Sequence, residues 1–157
     1  MPIERFAAHL NSYMGTPQRY GLEAAAQTYG RGAPLVINDA GHLEEAGTDP
    51  VGIQGFAAQP GANNATAGAA TAFYDPLYDD EYIGSVDTSA AEGTGTSAQT
   101  QVGERFGITR SAQAGQVGRW YVDTNKTDIA DQRVEIVRLI DAAATIQGRV
   151  AFKWIAT

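Results

Sequence analysis

The chain has 157 residues, of which 18% are charged, and its formal net charge is −7 at pH 7. This length suits one domain with its own hydrophobic core. The absence of cysteine excludes disulfides, thiolate zinc sites and thiol nucleophiles, and an acidic chain without a basic cluster disfavours nucleic-acid binding. The sequence has no run of about 18 apolar residues that would span a membrane, and its first residues lack the apolar stretch of a secretory signal. We therefore expect an intracellular origin.

Residues 1–31 differ in pattern from the rest of the chain. Apolar side chains recur there at three- and four-residue spacing: Ile3, Phe6, Leu10 and Tyr13. This spacing predicts an amphipathic helix of about three turns, which the glycine and proline of residues 15–17 end. The segment either packs on its own domain or forms an arm that docks on a neighbouring subunit. We assign residues 1–31 to this N-terminal arm or helical segment and residues 32–157 to the main domain.

Residues 32–58 predict three strands joined by two turns. The strands are expected at residues 34–38, 42–46 and 51–58, with Leu35 and Ile37 on one face. Gly41 permits a positive φ in the first turn, and Pro50 presets φ in the second. We expect this block to form an antiparallel meander.

Two small-residue loops, at residues 59–71 and 88–101, separate further strand patterns. Between them, aromatic and β-branched side chains at residues 73–86 predict a hairpin or two short edge strands, with Pro76 removing a ladder donor at the edge. After the second loop, strands are expected at residues 119–123, 132–141 and 148–156. About seven to nine short strands at this spacing predict an all-β fold, a small antiparallel barrel or a sandwich.

The two histidines do not indicate a metal site or a catalytic site. His9 lies in the N-terminal segment and His42 follows a turn glycine, and neither belongs to a zinc-binding spacing. No nucleophile-elbow motif is present. The segment GTGTSA, residues 93–98, lacks the spacing of a phosphate-binding loop, so we interpret it as a linker.

One local cluster of acids stands out: Asp75, Asp79, Asp80 and Glu81. Oxygen ligands suit calcium, but the order of an EF-hand is missing, and a solvated acidic turn is the alternative interpretation. The nearby tyrosines, Tyr74, Tyr78 and Tyr82, would suit a carbohydrate-binding face. Trp120 and Trp154 fall within strand patterns, so we place them in the core. We therefore predict no catalytic residue, no metal and no cofactor.

Several short segments, in this order, carry a resemblance. They are YGRGAPLV (residues 29–36), DAGHLEEA (39–46), VGIQGFA (51–57), RFGITR (105–110), RWYVD (119–123) and IQGRVAFKW (146–154). Together they resemble the head decoration, or cement, proteins of tailed bacteriophages. The resemblance covers the chain after residue 28. Residues 1–28 and the acidic segment 75–81 depart from the shortest members of that family.

The resemblance implies a small β-barrel or β-tulip domain, commonly a homotrimer, with no catalytic residue. Its expected place is the outer capsid surface of the virion, after synthesis in the host bacterial cytoplasm. The implied partners are the major capsid protein and neighbouring copies of the chain, with no nucleic acid and no membrane. The rival hypotheses are a carbohydrate-binding or adhesin-like module, another virion part such as a tail or head–tail joining protein, and a small hydrolase.

Overall fold

The structure, a computed structural model, describes residues 7–8, 18–77, 81–116 and 118–155. Within these ranges the chain forms eleven strands and one short 3₁₀ helix, Gln99–Gln101. In chain order the strands are β1 Ala7–Ala8, β2 Arg19–Leu22, β3 Pro34–Ile37, β4 Leu43–Glu45, β5 Gly55–Ala57, β6 Thr71–Pro76, β7 Glu81–Asp87, β8 Arg105–Arg110, β9 Trp120–Asp123, β10 Val134–Leu139 and β11 Arg149–Trp154. The prediction of an all-β fold is confirmed.

Five of these strands close a barrel in the order β7-β11-β10-β8-β9, with β9 returning to β7. Closure pairs most of the strand edges that an isolated sheet would leave open. The β7–β9 pairing is parallel and the other four are antiparallel. The barrel is therefore mixed, and the expectation of a purely antiparallel barrel is corrected at this one contact. β1 adds to β7 as a sixth strand.

The remaining strands form a second sheet, which we call the antiparallel sheet, in the order β2-β6-β5-β3-β4. Its two ends approach each other, because Glu23 makes an isolated bridge with Leu43. Residues 18–31, which the sequence grouped with the N-terminal segment, contribute β2 and the buried Tyr29 to this sheet and its core.

One hydrophobic core joins the barrel to the antiparallel sheet. Phe56 of β5 packs edge-on against Tyr82 of β7, with ring centroids 4.9 Å apart, and against Trp154 of β11 at 6.1 Å. Trp120 is buried, and Trp154 is half-buried against the same core. The core interpretation of both tryptophans is confirmed.

The predicted meander of residues 32–58 is wrong in its topology. β3 pairs with β4 on one side and with β5 on the other, so β5 never lies beside β4. The third strand is also shorter than expected, since Val51 is 59% exposed and the strand begins at Gly55. Ile37 is 51% exposed although Leu35 is buried. Turn residues limit where strands end, but they do not decide which side of β3 the next strand joins.

The predicted hairpin at residues 73–86 is also wrong. β6 lies inside the antiparallel sheet, between β2 and β5, whereas β7 belongs to the barrel. The two strands therefore never pair, and Pro76 ends an internal strand instead of an edge strand. Both strands have neighbours on each side and bury part of their side chains. Such burial produces the same alternation of apolar side chains that a hairpin would.

The helix predicted over residues 3–13 falls mainly outside the described residues. At Ala7–Ala8, inside that span, the backbone is a strand that pairs with Ile83 and Tyr82 of β7. The helical prediction is therefore wrong at these two residues, where cross-strand pairing overrides the local spacing. The predicted strands at residues 119–123, 132–141 and 148–156 are confirmed as β9, β10 and β11, with a register shift between Ile136 and Arg138.

Candidate functional site

A cluster of carboxylates holds the loop that follows β7 against the end of the barrel. The side chain of Asp87 is buried and accepts hydrogen bonds from the backbone N–H groups of Thr88, Gly93 and Gly95, at 2.8–3.1 Å. The amide of Gln147 donates to its other oxygen at 2.7 Å. One carboxylate therefore fixes both the start and the end of this loop.

Asp123 of β9 anchors the same region from the neighbouring strand. It is fully buried, and it accepts hydrogen bonds from the backbone N–H groups of Ser89 and Asn125 at 3.0 Å. The hydroxyl of Thr109 donates to its second oxygen at 2.7 Å. Burial of a carboxylate is costly unless donors surround the charge, and here neighbouring N–H and O–H groups supply them.

Glu92, which lies in the loop itself, is the third acid of the carboxylate cluster, after Asp87 and Asp123. Its carboxylate accepts hydrogen bonds from the hydroxyls of Tyr121 and Ser111 and from the backbone N–H of Ala112, at 3.0–3.5 Å. Burial, the charge of Asp123 and the bond to Glu92 raise the pKa of Tyr121 well above its ordinary value. Beside Tyr121 and Ser111 lies a cavity of about 10 Å³, which Asp87 and Gln147 also line; it has room for about one water molecule.

These contacts give the loop a structural role. The backbone N–H groups of Gly93 and Gly95, which a phosphate would need, already donate to Asp87. A Cβ at Gly95 would lie 2.4 Å from the Cα of Asp87, so the loop packs directly on β7. The interpretation of residues 93–98 as a linker is therefore wrong. An Asp at a strand end before a Ser/Thr/Gly-rich loop was the available signal, because such side chains capture nearby backbone donors.

The predicted acidic cluster does not assemble in the described part of the chain. Glu81 forms a salt bridge with Arg138 of β10 at 3.3 Å, and Asp75 lies in β6 of the other sheet. Asp79 and Asp80 lie outside the described residues, so the calcium hypothesis is untested at those positions. Among the described residues, no group of three or more Asp, Glu or His side chains could hold a metal ion.

Of the three tyrosines of the predicted carbohydrate-binding face, the two that the structure describes are not exposed. Tyr74 and Tyr82 are buried, at 7% and 0% exposure, and Tyr78 lies outside the described residues. His42 is half-exposed, and its backbone N–H donates to the side chain of Asn38 at 3.0 Å. His9 is also outside the described residues. The structure thus leaves no described histidine in the carboxylate cluster.

An apolar strip runs along the outer face of the antiparallel sheet. Tyr20 is 74% exposed and Leu22 is 51% exposed; both point to the same side of β2 because strand side chains alternate. Phe73 pairs with Tyr20 across the sheet, with ring centroids 6.1 Å apart. We call Tyr20, Leu22 and Phe73 the apolar strip. Exposed side chains of this size, grouped together, are typical of contact surfaces.

Polar contacts tie the two sheets together on another side of the molecule. Glu45 of β4 accepts hydrogen bonds from Arg110 and from the indole N–H of Trp120, both at 2.9 Å. Lys126 forms a salt bridge with Asp49. Beside these contacts lies a cleft of about 210 Å³. Its two cationic side chains already face carboxylates, which weakens the case for an anionic ligand there.

Comparison of the chain with protein-family models, curated proteins and solved structures gives no match. In the described ranges, the chain forms no helix long and apolar enough to cross a membrane.

Proposed function

We propose that this chain is a structural virion protein that binds the outside of a phage capsid across capsomer junctions and stabilises the mature head. The observation that carries the proposal is the contrast between the interior and the surface. The buried carboxylates Asp87 and Asp123 hold the chain's own backbone, whereas the apolar strip is turned outward. This arrangement suits contact with another protein better than chemistry on a small molecule.

The resemblance to phage decoration proteins supports the proposal because of where the segments that carry it lie in the fold. Its segments supply strands to both sheets, including β3, β5, β8, β9 and β11. They therefore include much of the framework of the domain, together with turns that join its strands. The all-β barrel fits the domain that the resemblance implies.

Cementing a capsid needs modest contacts repeated many times. A standard interface buries ~800 Å² per partner, and a trimer that engages several sites gains affinity through effective concentration. The apolar strip would supply the buried centre of such a contact, because aromatic anchors dominate interface energetics. The N-terminal segment would add an arm laid on a neighbour.

The first test is the copy number on native particles. DNA-filled particles recovered with the chain would be quantified by mass spectrometry against the major shell protein. The proposal expects hundreds of copies per particle, roughly the multiplicity of lattice positions. A dozen copies or fewer would favour a tail or head–tail joining protein, and free protein without particles would overturn the virion role.

The second test uses surface variants on particles that lack the chain. Tyr20→Ser combined with Leu22→Ser should weaken binding at least tenfold, because the variant removes apolar area from the strip. Ile129→Ser is the matched control, since Ile129 is 89% exposed and lies away from the strip in sequence. Equal binding by both variants would exclude the strip as the contact surface.

A truncation tests the arm. Deletion of residues 1–14 should leave a folded domain, because β2 and the remaining strands stay intact, and it should bind particles poorly. Unchanged binding by the truncated chain would contradict the arm hypothesis while leaving the strip to be judged separately.

A further inference from the structure

We infer that a cleft beside the start of β10 binds a small organic carboxylate. The carboxylate group meets Arg133 and Arg105, and the apolar part of the ligand covers Val51 and Ile129. This site is separate from the carboxylate cluster and from the apolar strip. The inference goes beyond the proposed function, and its test uses no capsid, so the two can fail separately.

The cleft, which we call the Arg133 cleft, has a volume of about 270 Å³, close to the lower limit of ~300 Å³ for small-molecule pockets. Its walls come from the loop between β4 and β5, the start of β8, the loop before β10 and the residue after β11. The lining includes Val51, Arg105, Ile129, Gln132, Arg133 and Ile155. Of the residues that the structure describes, no Asp or Glu lines it. The cleft is therefore a basic concavity on a chain whose net charge is −7.

Arg133 supplies a buried positive charge that lacks an opposite charge. It is 7% exposed, and its guanidinium donates to the carbonyl oxygens of Asp49, Pro50, Ala130 and Gln132 at 2.7–3.0 Å. These acceptors take four of the five N–H groups of a guanidinium, but all four are neutral. Within the described ranges Arg133 forms no salt bridge. Because a buried charge is costly without an opposite charge, a bound anion would be favoured here.

Arg105 adds a second cation with donors to spare. Its Nε donates to Glu135 at 3.1 Å, and its side chain is 56% exposed. In the described part of the chain, neither of its terminal nitrogens has a hydrogen-bond partner. The planar fork of arginine matches a carboxylate through two parallel N–H···O bonds. We therefore assign the direct contact to Arg105 and the supporting charge to Arg133.

Exposed apolar side chains in the same cleft favour an organic ligand over an inorganic anion. Val51 is 59% exposed, Ile129 is 89% exposed, and Ile155 is half-buried. A ligand with a short apolar chain would remove part of this surface from water, whereas sulfate or phosphate would not. The chemistry that fits both halves of the cleft is a small carboxylate with a short apolar chain.

A nuclear magnetic resonance titration of the ¹⁵N-labelled full chain with hexanoate tests the inference. Backbone signals of the cleft and the Nε–H signals of Arg105 and Arg133 should shift and saturate, with an apparent Kd of about 1 mM for so small a ligand. Hexanamide has the same apolar chain without the charge and should bind roughly tenfold more weakly. Sulfate has charge without an apolar chain and should also bind more weakly than hexanoate.

Two variants examine the two halves of the cleft. Arg105→Gln should weaken hexanoate binding roughly tenfold. Its matched control is Arg138→Gln, because Arg138 also donates through Nε to a glutamate, Glu81, and is 46% exposed, but it lies outside the cleft. Ile129→Ser should weaken hexanoate binding about threefold and leave sulfate binding unchanged.

Three results would overturn the inference. The first is the absence of a saturable shift at the cleft while the spectrum shows a folded chain. The second is sulfate binding as tight as hexanoate binding, which would indicate a site for inorganic anions. The third is an equal loss in Arg105→Gln and Arg138→Gln, which would indicate non-specific attraction to surface cations. A saturable shift that needs both the carboxylate and Arg105 would confirm the site, whether or not the chain binds capsids.

Discussion

Asp87 lies directly opposite Asp123 in the parallel pairing of β7 with β9, and the two carboxylates hold one loop between them. Asp87 binds the N–H groups of Gly93 and Gly95, and Asp123 binds that of Ser89. Two acids at neighbouring positions would repel each other if left unpaired. Here they are stabilised because each one faces several donors.

Replacing Asp87 by Asn should lower the free energy of unfolding by about 2–4 kcal/mol, because an amide nitrogen would face backbone donors in a buried site. Chemical denaturation of the variant and the parent chain measures the difference. Asp39→Asn, on an exposed turn, is the control and should change stability by less than about 0.5 kcal/mol. Equal stability of the two variants would show that the loop does not depend on the Asp87 charge.

Gly55 marks a close approach of β5 to β6. A Cβ at this position would lie 2.1 Å from the carbonyl oxygen of Asp75, which is backbone and cannot rotate away. Gly55→Ala should therefore cost roughly 3 kcal/mol or more. Gly47→Ala is the matched control, since its Cβ would meet no atom within 4 Å. A melting temperature for Gly55→Ala as high as that of the control would contradict the observed spacing.

Glu45 links the two sheets through a single oxygen that accepts from Arg110 and Trp120. Glu45→Ala should destabilise the chain by about 1–3 kcal/mol, because the buried indole N–H loses its acceptor. Glu135→Ala is the comparison: it removes the salt-bridge partner of Arg105. Because Glu135 is more exposed than Glu45, this change should cost less than about 1 kcal/mol. Denaturation followed by tryptophan fluorescence measures both, and a reversed ranking would refute the role of Glu45 as the inter-sheet contact.

We expect the free energy of unfolding to fall in alkali because two tyrosine hydroxyls are buried. Burial and the hydrogen bond to Glu23 raise the pKa of Tyr29 above its ordinary value of 10.0, and burial also raises the pKa of Tyr121. The folded chain keeps these protons where the unfolded chain releases them. Stability is therefore fully present below pH 10.0 and falls as the pH rises further.

Near-ultraviolet absorbance during an alkaline titration measures this effect. Tyr29 and Tyr121, whose pKa values are raised in the folded chain, should ionise only as the chain unfolds. Ionisation of Tyr29 and Tyr121 while circular dichroism still shows the native fold would contradict the burial of these two hydroxyls.

The sequence alone determined the fold class and most strands of the barrel. Alternation in RWYVD and GRVAFKWIA predicted β9 and β11, since a half-buried strand repeats every two residues. The two tryptophans were placed correctly in the core for the same reason. Turn residues also indicated where several strands end, because glycine and proline act on the local backbone.

The tertiary structure alone decided which strands pair and which acids meet. β6 and β7 carry the pattern of a hairpin yet belong to different sheets, and Asp87 meets Asp123 only because β7 and β9 close the barrel. Ala7–Ala8 pairs as a strand within a stretch that has helical spacing. Alternation records only that a side chain is buried. The partner that buries it is distant in sequence, so only the packed fold selects it.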